Sequence, residues 1–261
     1  MTPSDPTQAR RPRGIYLLPN LFTTGGLFAG FYAIIAASEG NFVNACIAVF
    51  VAGLLDGLDG RVARMTNTQS EFGTQYDSLA DLISFGMAPA LVMYHWALID
   101  LRLESNMWGK IGWGAAFLYA ACAALRLARF NTQVSVVDKR WFIGLASPAA
   151  AGLMMAFVWT LQEQGYAAGY RQYLALGVTL IAAALMVSRV RYYSFKSLPM
   201  RDRVPFIVIP LALLVFFALA VDTARVLLVI GVIYAGSGPI YWLVTRMRNA
   251  RRRTPGGGGA P

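Results

Sequence analysis

Long apolar runs, separated by short polar breaks, fill the chain from Leu17 to Val244. A hydrocarbon core about 30 Å thick requires roughly 20 residues of helix to cross it, and a helix satisfies every backbone N–H and C=O group inside lipid. No stretch shows the two-residue alternation of a transmembrane barrel strand. The runs therefore predict an all-α polytopic membrane protein with eight transmembrane helices. The predicted spans cover residues 17–37, 42–58, 79–98, 111–127, 147–161, 173–187, 205–221 and 225–245.

The composition excludes other classes of protein. Of the 261 residues, 57% are hydrophobic and only 14% are charged, and the charged share is about half that of a soluble domain. This apolar content excludes intrinsic disorder, and two cysteines are too few for a disulfide-stapled secreted domain. The first run is too long for the apolar core of a cleaved signal peptide. We expect a mobile cytoplasmic segment at 1–16, a transmembrane catalytic domain at 17–245, and a basic, Gly-rich cytoplasmic tail at 246–261.

The basic residues indicate the orientation of the chain. The net charge is +10, from 23 basic and 13 acidic residues. Nineteen of the basic residues lie at the two termini or in the loops after spans two, four and six, which all fall on one side. The positive-inside rule places both termini and these loops in the cytoplasm, so we expect a bacterial-type inner membrane. A basic face suits anionic lipid, and the spans argue against nucleic-acid binding.

Four aspartates stand at the cytoplasmic edge of spans two and three. Asp56 and Asp59 end the second run, and Asp77 and Asp81 begin the third. At about 100° per residue, each pair shares one helix face, and antiparallel neighbouring helices would bring the two faces together. Close carboxylates cannot all stay ionised without a partner. Hard oxygen ligands predict Mg²⁺, Mn²⁺ or Ca²⁺ here rather than zinc.

Small residues lie on the same two faces as the aspartates. Gly60, Ala63 and Gly73 leave room for a ligand to approach the backbone, and Arg64 can reach a phosphate oxygen. Aspartates, metal, small residues and one arginine are typical of a site for a metal-bridged diphosphate. In such a site, positioning and electrostatics carry the catalysis.

The acidic and small residues form one pattern over 26 positions. It reads Asp56-x-x-Asp59-Gly60-x-x-Ala63-Arg64, eight residues, Gly73-x-x-x-Asp77-x-x-x-Asp81. This pattern resembles the signature of the CDP-alcohol phosphotransferase family without a departure. Members of that family are integral membrane enzymes that make phospholipids by displacing CMP from a CDP-linked substrate.

The resemblance implies the CDP-alcohol phosphotransferase fold, a homodimer and a pair of divalent metal ions. It implies that the four aspartates hold the metal and that Asp81 is also the general base. It further implies that Gly60, Ala63, Arg64 and Gly73 line a CDP pocket. Asn20 and Thr23, at the start of span one, either join this pocket or order the helix end.

Further segments indicate the acceptor alcohol. Residues 18–23, 76–89, 126–131, 142–148 and 191–196 are similar to the membrane-bound phosphatidylserine synthase branch of the family, whose members use CDP-diacylglycerol and L-serine. We expect the polar side chains of these segments to contact serine or phosphate, although a basic residue at a cytoplasmic helix end can also snorkel. The expected residues are Arg126, Arg129, Asn131, Arg191, Tyr192, Ser194 and Lys196.

Three alternatives remain open at this stage. The same chemistry could use glycerol 3-phosphate, inositol phosphate or choline, and Arg126 with Arg129 could bind a second phosphate. A cation transporter could use the four carboxylates, but they lie at one membrane edge rather than at the midplane. A non-catalytic membrane scaffold explains none of the cluster.

Overall fold

Helices account for nearly all of the described chain. The computed structural model describes residues 17–66, 70–133, 141–165, 169–193 and 208–253. A π-helical segment, Leu82–Met87, joins α3 to α4, and a 3-10 helix, Leu98–Leu103, follows α4. The α-helices are α1 (Leu17–Ser38), α2 (Phe42–Thr66), α3 (Glu71–Asp81), α4 (Ala88–Trp96), α5 (Asn106–Gln133), α6 (Ser147–Glu163), α7 (Arg171–Val187), α8 (Val208–Val221) and α9 (Thr223–Arg253). The predicted all-helical fold is confirmed.

The helices differ in their capacity to cross a bilayer. In the described ranges, four are long and apolar enough, at Asn20–Ser38, Phe42–Thr66, Asn106–Thr132 and Thr223–Met247. α7 and α8 are apolar but shorter, with 17 and 14 residues. α8 buries none of its residues, and such an apolar surface is expected to face lipid or another protein. These helices thus support the classification as a membrane protein, and the number of eight crossings remains a prediction.

Small residues bring α1 and α2 close together. A Cβ atom at Gly26 on α1 would lie 3.6 Å from the carbonyl oxygen of Ala52 on α2, as expected for helix pairs that approach through small side chains. The acidic end of α2 therefore lies beside the first turns of α1. The π-helical segment that follows α3 also packs closely against α1, because a Cβ atom at Gly30 would lie 2.5 Å from the Ser84 Oγ atom.

The helix that carries Asp77 and Asp81 widens directly after Asp81. Pro89 has no N–H group, so the carbonyl of Phe85 lacks its α-helical donor. The hydroxyl of Tyr119 donates to this carbonyl at 3.0 Å. The wider π-helical turn, Leu82–Met87, begins directly after Asp81 and includes Phe85. Such turns are frequent at functional sites.

A short ladder that the sequence analysis did not predict ties two loops together. β1 (Trp141–Ile143) pairs antiparallel with β2 (Arg191–Tyr193). Gly144 follows β1 with φ +82°, and its N–H donates to the Val190 carbonyl at 2.8 Å. The ladder therefore holds the start of α6 beside the end of α7.

Several predicted boundaries differ from the helix ends. α2 continues eight residues beyond the predicted end at 58, to Thr66, and α3 begins at Glu71 rather than at 79. Polar residues can extend a helix past the membrane edge, where water solvates them. α9 likewise runs into the predicted tail, to Arg253. The predicted lead-in at 1–16 and the end of the tail at 254–261 lie outside the described residues.

Candidate active site

Three carboxylates from two helices meet in one place. Asp56 and Asp59 come from α2, and Asp77 comes from α3; one oxygen of each carboxylate lies within 4.8 Å of the others. Asp59 is only 5% exposed, and the other two are half-buried. Three acidic groups at this separation repel one another, and a divalent cation with hard oxygen ligands is the usual partner of such a set.

A buried hydrogen bond orients one of these carboxylates. The hydroxyl of Thr23 on α1 donates to the Oδ2 atom of Asp59 at 2.8 Å, and Thr23 is 6% exposed. Hydrogen bonds of this kind hold a metal-binding side chain in position and tune its affinity. Thr23, for which the sequence analysis leaves open a CDP contact or a role in ordering the helix end, thus donates its hydroxyl hydrogen to a carboxylate of the cluster.

The surroundings of Asp77, which precedes the third predicted span, make its carboxyl group harder to ionise. Burial raises the pKa of Asp77 to about 7, and the negative charges of Asp59 and Asp56 contribute to the shift. Without a cation, a proton is therefore retained at a pH where an exposed carboxyl would be ionised. Binding of a metal ion to the cluster would therefore displace this proton from Asp77.

Asp81 lies one turn beyond Asp77 and borders the same cavity. Its half-buried carboxylate interacts electrostatically with the three other aspartates and with the guanidinium of Arg126 on α5. Asp81 is not one of the three whose oxygens lie within 4.8 Å of one another. Asp81 is therefore subject both to the negative charges of the cluster and to the positive charge of Arg126.

The cavity is lined by small and apolar residues as well as by the carboxylates. The space among these residues, including the part that is open to solvent, is about 190 Å³. The lining residues that the sequence analysis did not assign to the site are Gly26, Ala52, Ala80, Ser84 and Phe85. Gly26, Ala52 and Ala80 could have been found from their spacing, because each lies three or four residues from a predicted site residue on its own helix.

The predicted CDP-binding residues differ in how closely other residues approach them. A Cβ atom at Gly73 would lie 3.6 Å from the Oδ1 atom of Asn20, whereas one at Gly60 would meet nothing within 4 Å among the described residues. Arg64 is exposed one turn after Gly60, and Ala63 lies between them in α2. There is therefore space for a ligand at Gly60, one turn before the exposed cation of Arg64.

The predicted serine-binding residues divide into two groups. Arg126 donates to the Ser147 hydroxyl at 3.2 Å, and Asn131 donates to the Ser78 hydroxyl at 2.9 Å, beside Asp77. Arg129 lies on α5 between them and is half-buried. α5 thus borders the site.

The residues of the 191–196 segment belong to the ladder or lie outside the described residues. Arg191 pairs with Ile143 in the ladder. Tyr192 is 1% exposed, and its hydroxyl donates to the carbonyl of Ala235 on α9 at 3.0 Å. The structure therefore does not bring the Tyr192 hydroxyl to the carboxylates. Ser194 and Lys196 lie outside the described residues.

Comparison with known proteins agrees with the geometry. The family model described as CDP-alcohol phosphatidyltransferase matches residues 16–190. A CDP-diacylglycerol–serine O-phosphatidyltransferase of Helicobacter pylori is 38% identical over 229 residues, which cover 88% of this chain and 92% of the relative. The enzyme of that name from Mycobacterium leprae is 32% identical, over 85% and 72% of the two chains. An archaetidylserine synthase of Methanothermobacter thermautotrophicus is 34% identical, over 67% and 69%.

Proposed function

This chain belongs to the CDP-alcohol phosphatidyltransferase family, and we propose that it transfers the phosphatidyl group of CDP-diacylglycerol to the hydroxyl of L-serine. The products are phosphatidylserine and CMP. The observation that carries the reaction class is the meeting of Asp56, Asp59 and Asp77 within 4.8 Å beside Asp81. Serine as the acceptor is supported by the names of the relatives, which match most of this chain.

The donor set fits a divalent metal. All its members are carboxylates, and hard oxygen ligands suit Mg²⁺, Mn²⁺ or Ca²⁺. Asp56, Asp59 and Asp77 would hold a pair of ions, with Asp81 as a further ligand, and Thr23 orients Asp59. When bound, the ions neutralise the diphosphate and the leaving CMP.

The residues of the chain position both substrates for an in-line displacement. Asn20, Gly60, Ala63, Arg64 and Gly73 bind the cytidine diphosphate beside the cluster. The serine oxygen then attacks the phosphorus attached to diacylglycerol, and the bond from that phosphorus to the CMP oxygen breaks. The proton of the serine hydroxyl passes to the Asp81 carboxylate as the new phosphorus–oxygen bond forms.

The acceptor side of the site needs a cation for the serine carboxylate. Arg126, Arg129 and Asn131 on α5 supply positive charge and hydrogen-bond donors beside Asp81 and Asp77, and an arginine binds a carboxylate through two parallel N–H groups. From the sequence resemblance, we assign Arg191, Tyr192, Ser194 and Lys196 to the region next to this pocket.

Eight crossings of the inner membrane, with both termini and the site in the cytoplasm, complete the proposal. The bias of basic residues towards one side supports this orientation. CDP-diacylglycerol would then keep its acyl chains in the inner leaflet while its diphosphate reaches the carboxylates. We also propose a homodimer, and the exposed apolar surfaces of α8 and α9 offer ample area for lipid or protein contact.

An acceptor panel tests the function. The purified full chain is incubated in mixed micelles with CDP-diacylglycerol, Mn²⁺ or Mg²⁺, and either labelled L-serine or a competing alcohol. We expect CMP and phosphatidylserine to form only with serine and metal present. Replacement of any one of the four aspartates by Asn should abolish the reaction, while the protein still enters the membrane.

Other outcomes of the panel would redirect the proposal. CMP release with glycerol 3-phosphate, inositol phosphate or choline instead of serine would keep the chemistry and replace the acceptor. No release with any acceptor would refute the transferase and favour a cation transporter or a scaffold. Uptake of ⁵⁴Mn²⁺ into proteoliposomes then separates those two.

A further inference from the structure

The π turn between α3 and α4 is hydrogen-bonded to two neighbouring helices. The hydroxyl of Ser84, which is 2% exposed, donates to the Gly26 carbonyl on α1 at 3.0 Å. The buried hydroxyl of Tyr119 on α5 donates to the Phe85 carbonyl, also at 3.0 Å. Two successive residues of the turn are therefore joined to different helices by buried hydrogen bonds.

Glycines allow the turn to approach these two helices closely. A Cβ atom at Gly30 on α1 would lie 2.8 Å from the Cα atom of Ser84. A Cβ atom at Gly86, inside the turn, would lie 3.2 Å from the Cβ atom of Ala123 on α5. Side chains at these positions would push the turn away from its partners, so the same glycines that permit the approach also permit the two hydrogen bonds.

A π turn changes the rotation of one helix relative to the next. It is closed by bonds between residues five apart, as from the Ala88 N–H to the Ile83 carbonyl, so it holds about one residue more than an α turn. The helix before the turn is therefore offset by the rotation of one residue, about 100°. The helix after it is anchored in the core, because Ala88, Val92 and Met93 are fully buried. The π turn thus sets the direction in which the side chains of α3 point.

That direction decides whether the carboxylates of two helices meet. Asp77 and Asp81 lie on α3 just before the turn, and an oxygen of Asp77 lies within 4.8 Å of oxygens of Asp56 and Asp59 on α2. If the turn became α-helical while α4 stayed in place, α3 would rotate by about 100° and carry the Asp77 carboxylate away from α2. Because π turns are rare, whereas α turns are the ordinary form, this turn needs support from outside its own helix.

We propose that Ser84 and Tyr119 are positioning residues for the carboxylate cluster: their hydrogen bonds stabilise the π turn and so hold α3 in the rotation that brings its aspartates to α2. Among the described residues, Ser84 lines the cavity and Tyr119 does not, so Tyr119 acts on the cluster only through the turn. The inference deepens the proposed function and rests on it, because the cluster is taken to bind metal.

Mn²⁺ binding by Tyr119→Phe tests the inference, because this change removes only the hydroxyl. The π turn should then lose population to the α-helical form, which lowers the apparent affinity of a site that needs the π turn. We expect the Kd for Mn²⁺, from electron paramagnetic resonance on the purified full chain, to rise about three- to tenfold, the effect of one lost hydrogen bond. Ser84→Ala should raise it in the same direction. Saturating Mn²⁺ selects the metal-binding rotation, so the kcat of both variants should then be close to that of the wild type.

Thr179→Val is the control that separates positioning from a general loss of stability. Thr179 is fully buried, and its hydroxyl donates to the Ala175 carbonyl within α7 at 2.7 Å. Within the described ranges it is not among the residues that line the cavity. This change removes a buried hydroxyl without touching the turn, so it should lower the Tm at most and leave the Kd for Mn²⁺ unchanged. If it raises that Kd as much as Tyr119→Phe does, the inference falls.

The remaining outcomes distinguish this inference from the function. A normal Kd for Mn²⁺ in Tyr119→Phe overturns the inference alone, and if that variant does not fold, a normal Kd in Ser84→Ala does so in its place. A kcat that stays low at saturating Mn²⁺ also overturns the inference, because the hydroxyl would then act on the reaction rather than on the rotation of α3. A wild-type chain that binds Mn²⁺ but releases no CMP with any acceptor overturns the proposed function alone. A wild-type chain that binds no Mn²⁺ overturns both.

Discussion

The hydrogen bond from Thr23 to Asp59 offers a direct test of the carboxylate cluster. Thr23→Val removes the hydroxyl and keeps the volume of the side chain. The bond is 2.8 Å long, and both residues are about 95% buried, with exposures of 6% and 5%. Water therefore cannot replace the lost donor easily. Asp59 would lose the group that orients one of its oxygens.

The size of the effect follows from the chemistry of that bond. A hydrogen bond to a charged group contributes about 1.5–3 kcal/mol, and each 1.4 kcal/mol is about a factor of ten in a binding constant. We therefore expect Mn²⁺ affinity to fall by about 10- to 100-fold, as found when groups that orient metal ligands are removed. The kcat at saturating Mn²⁺ should change little.

Direct titration of Mn²⁺ binding by electron paramagnetic resonance measures this loss. The Mn²⁺ dependence of CMP release gives an independent value, and Thr23→Ser, which keeps a hydroxyl, is the control. An unchanged Mn²⁺ affinity with a higher KM for CDP-diacylglycerol would show that Thr23 acts on the nucleotide. That result would refute the role of Thr23 in orienting the metal-binding carboxylate of Asp59.

Three more predictions concern the base, the metal and the fold. Asp81→Asn should lower kcat by about 10²- to 10⁴-fold, the usual contribution of a general base, and near-normal turnover would exclude that role. Because the pKa of Asp77 is raised to about 7, protons compete with metal below that pH; Mn²⁺ affinity should be about tenfold lower at pH 6 than at pH 8, and a titration that does not vary with pH would contradict this. Gly144→Ala should lower the free energy of unfolding by about 2 kcal/mol, because its φ is +82° and a Cβ atom would overlap the Met186 carbonyl oxygen; thermal unfolding in detergent checks this, and an unchanged Tm would contradict it.

Local patterns in the sequence were enough to predict the helices and the acidic groups. Apolar runs predict helices because lipid leaves the backbone no other partner for its N–H and C=O groups. The spacing of Asp56, Asp59, Asp77 and Asp81 predicts shared faces because helical periodicity depends only on neighbours a few residues apart. The chemistry of carboxylates then selects the class of metal. None of these steps requires knowledge of how the helices pack.

Contacts between helices were beyond such reasoning. That Thr23 binds Asp59 depends on the close approach of α1 and α2, which meet where Gly26 lies against the backbone of Ala52. That Tyr192 binds α9 depends on a carbonyl freed by Pro239, 47 residues further along the chain. The sequence by itself determined which side chains could do chemistry and on which helix faces they lie. Only the tertiary structure decided which faces meet and at what depth, because those contacts depend on how side chains from distant segments fit together.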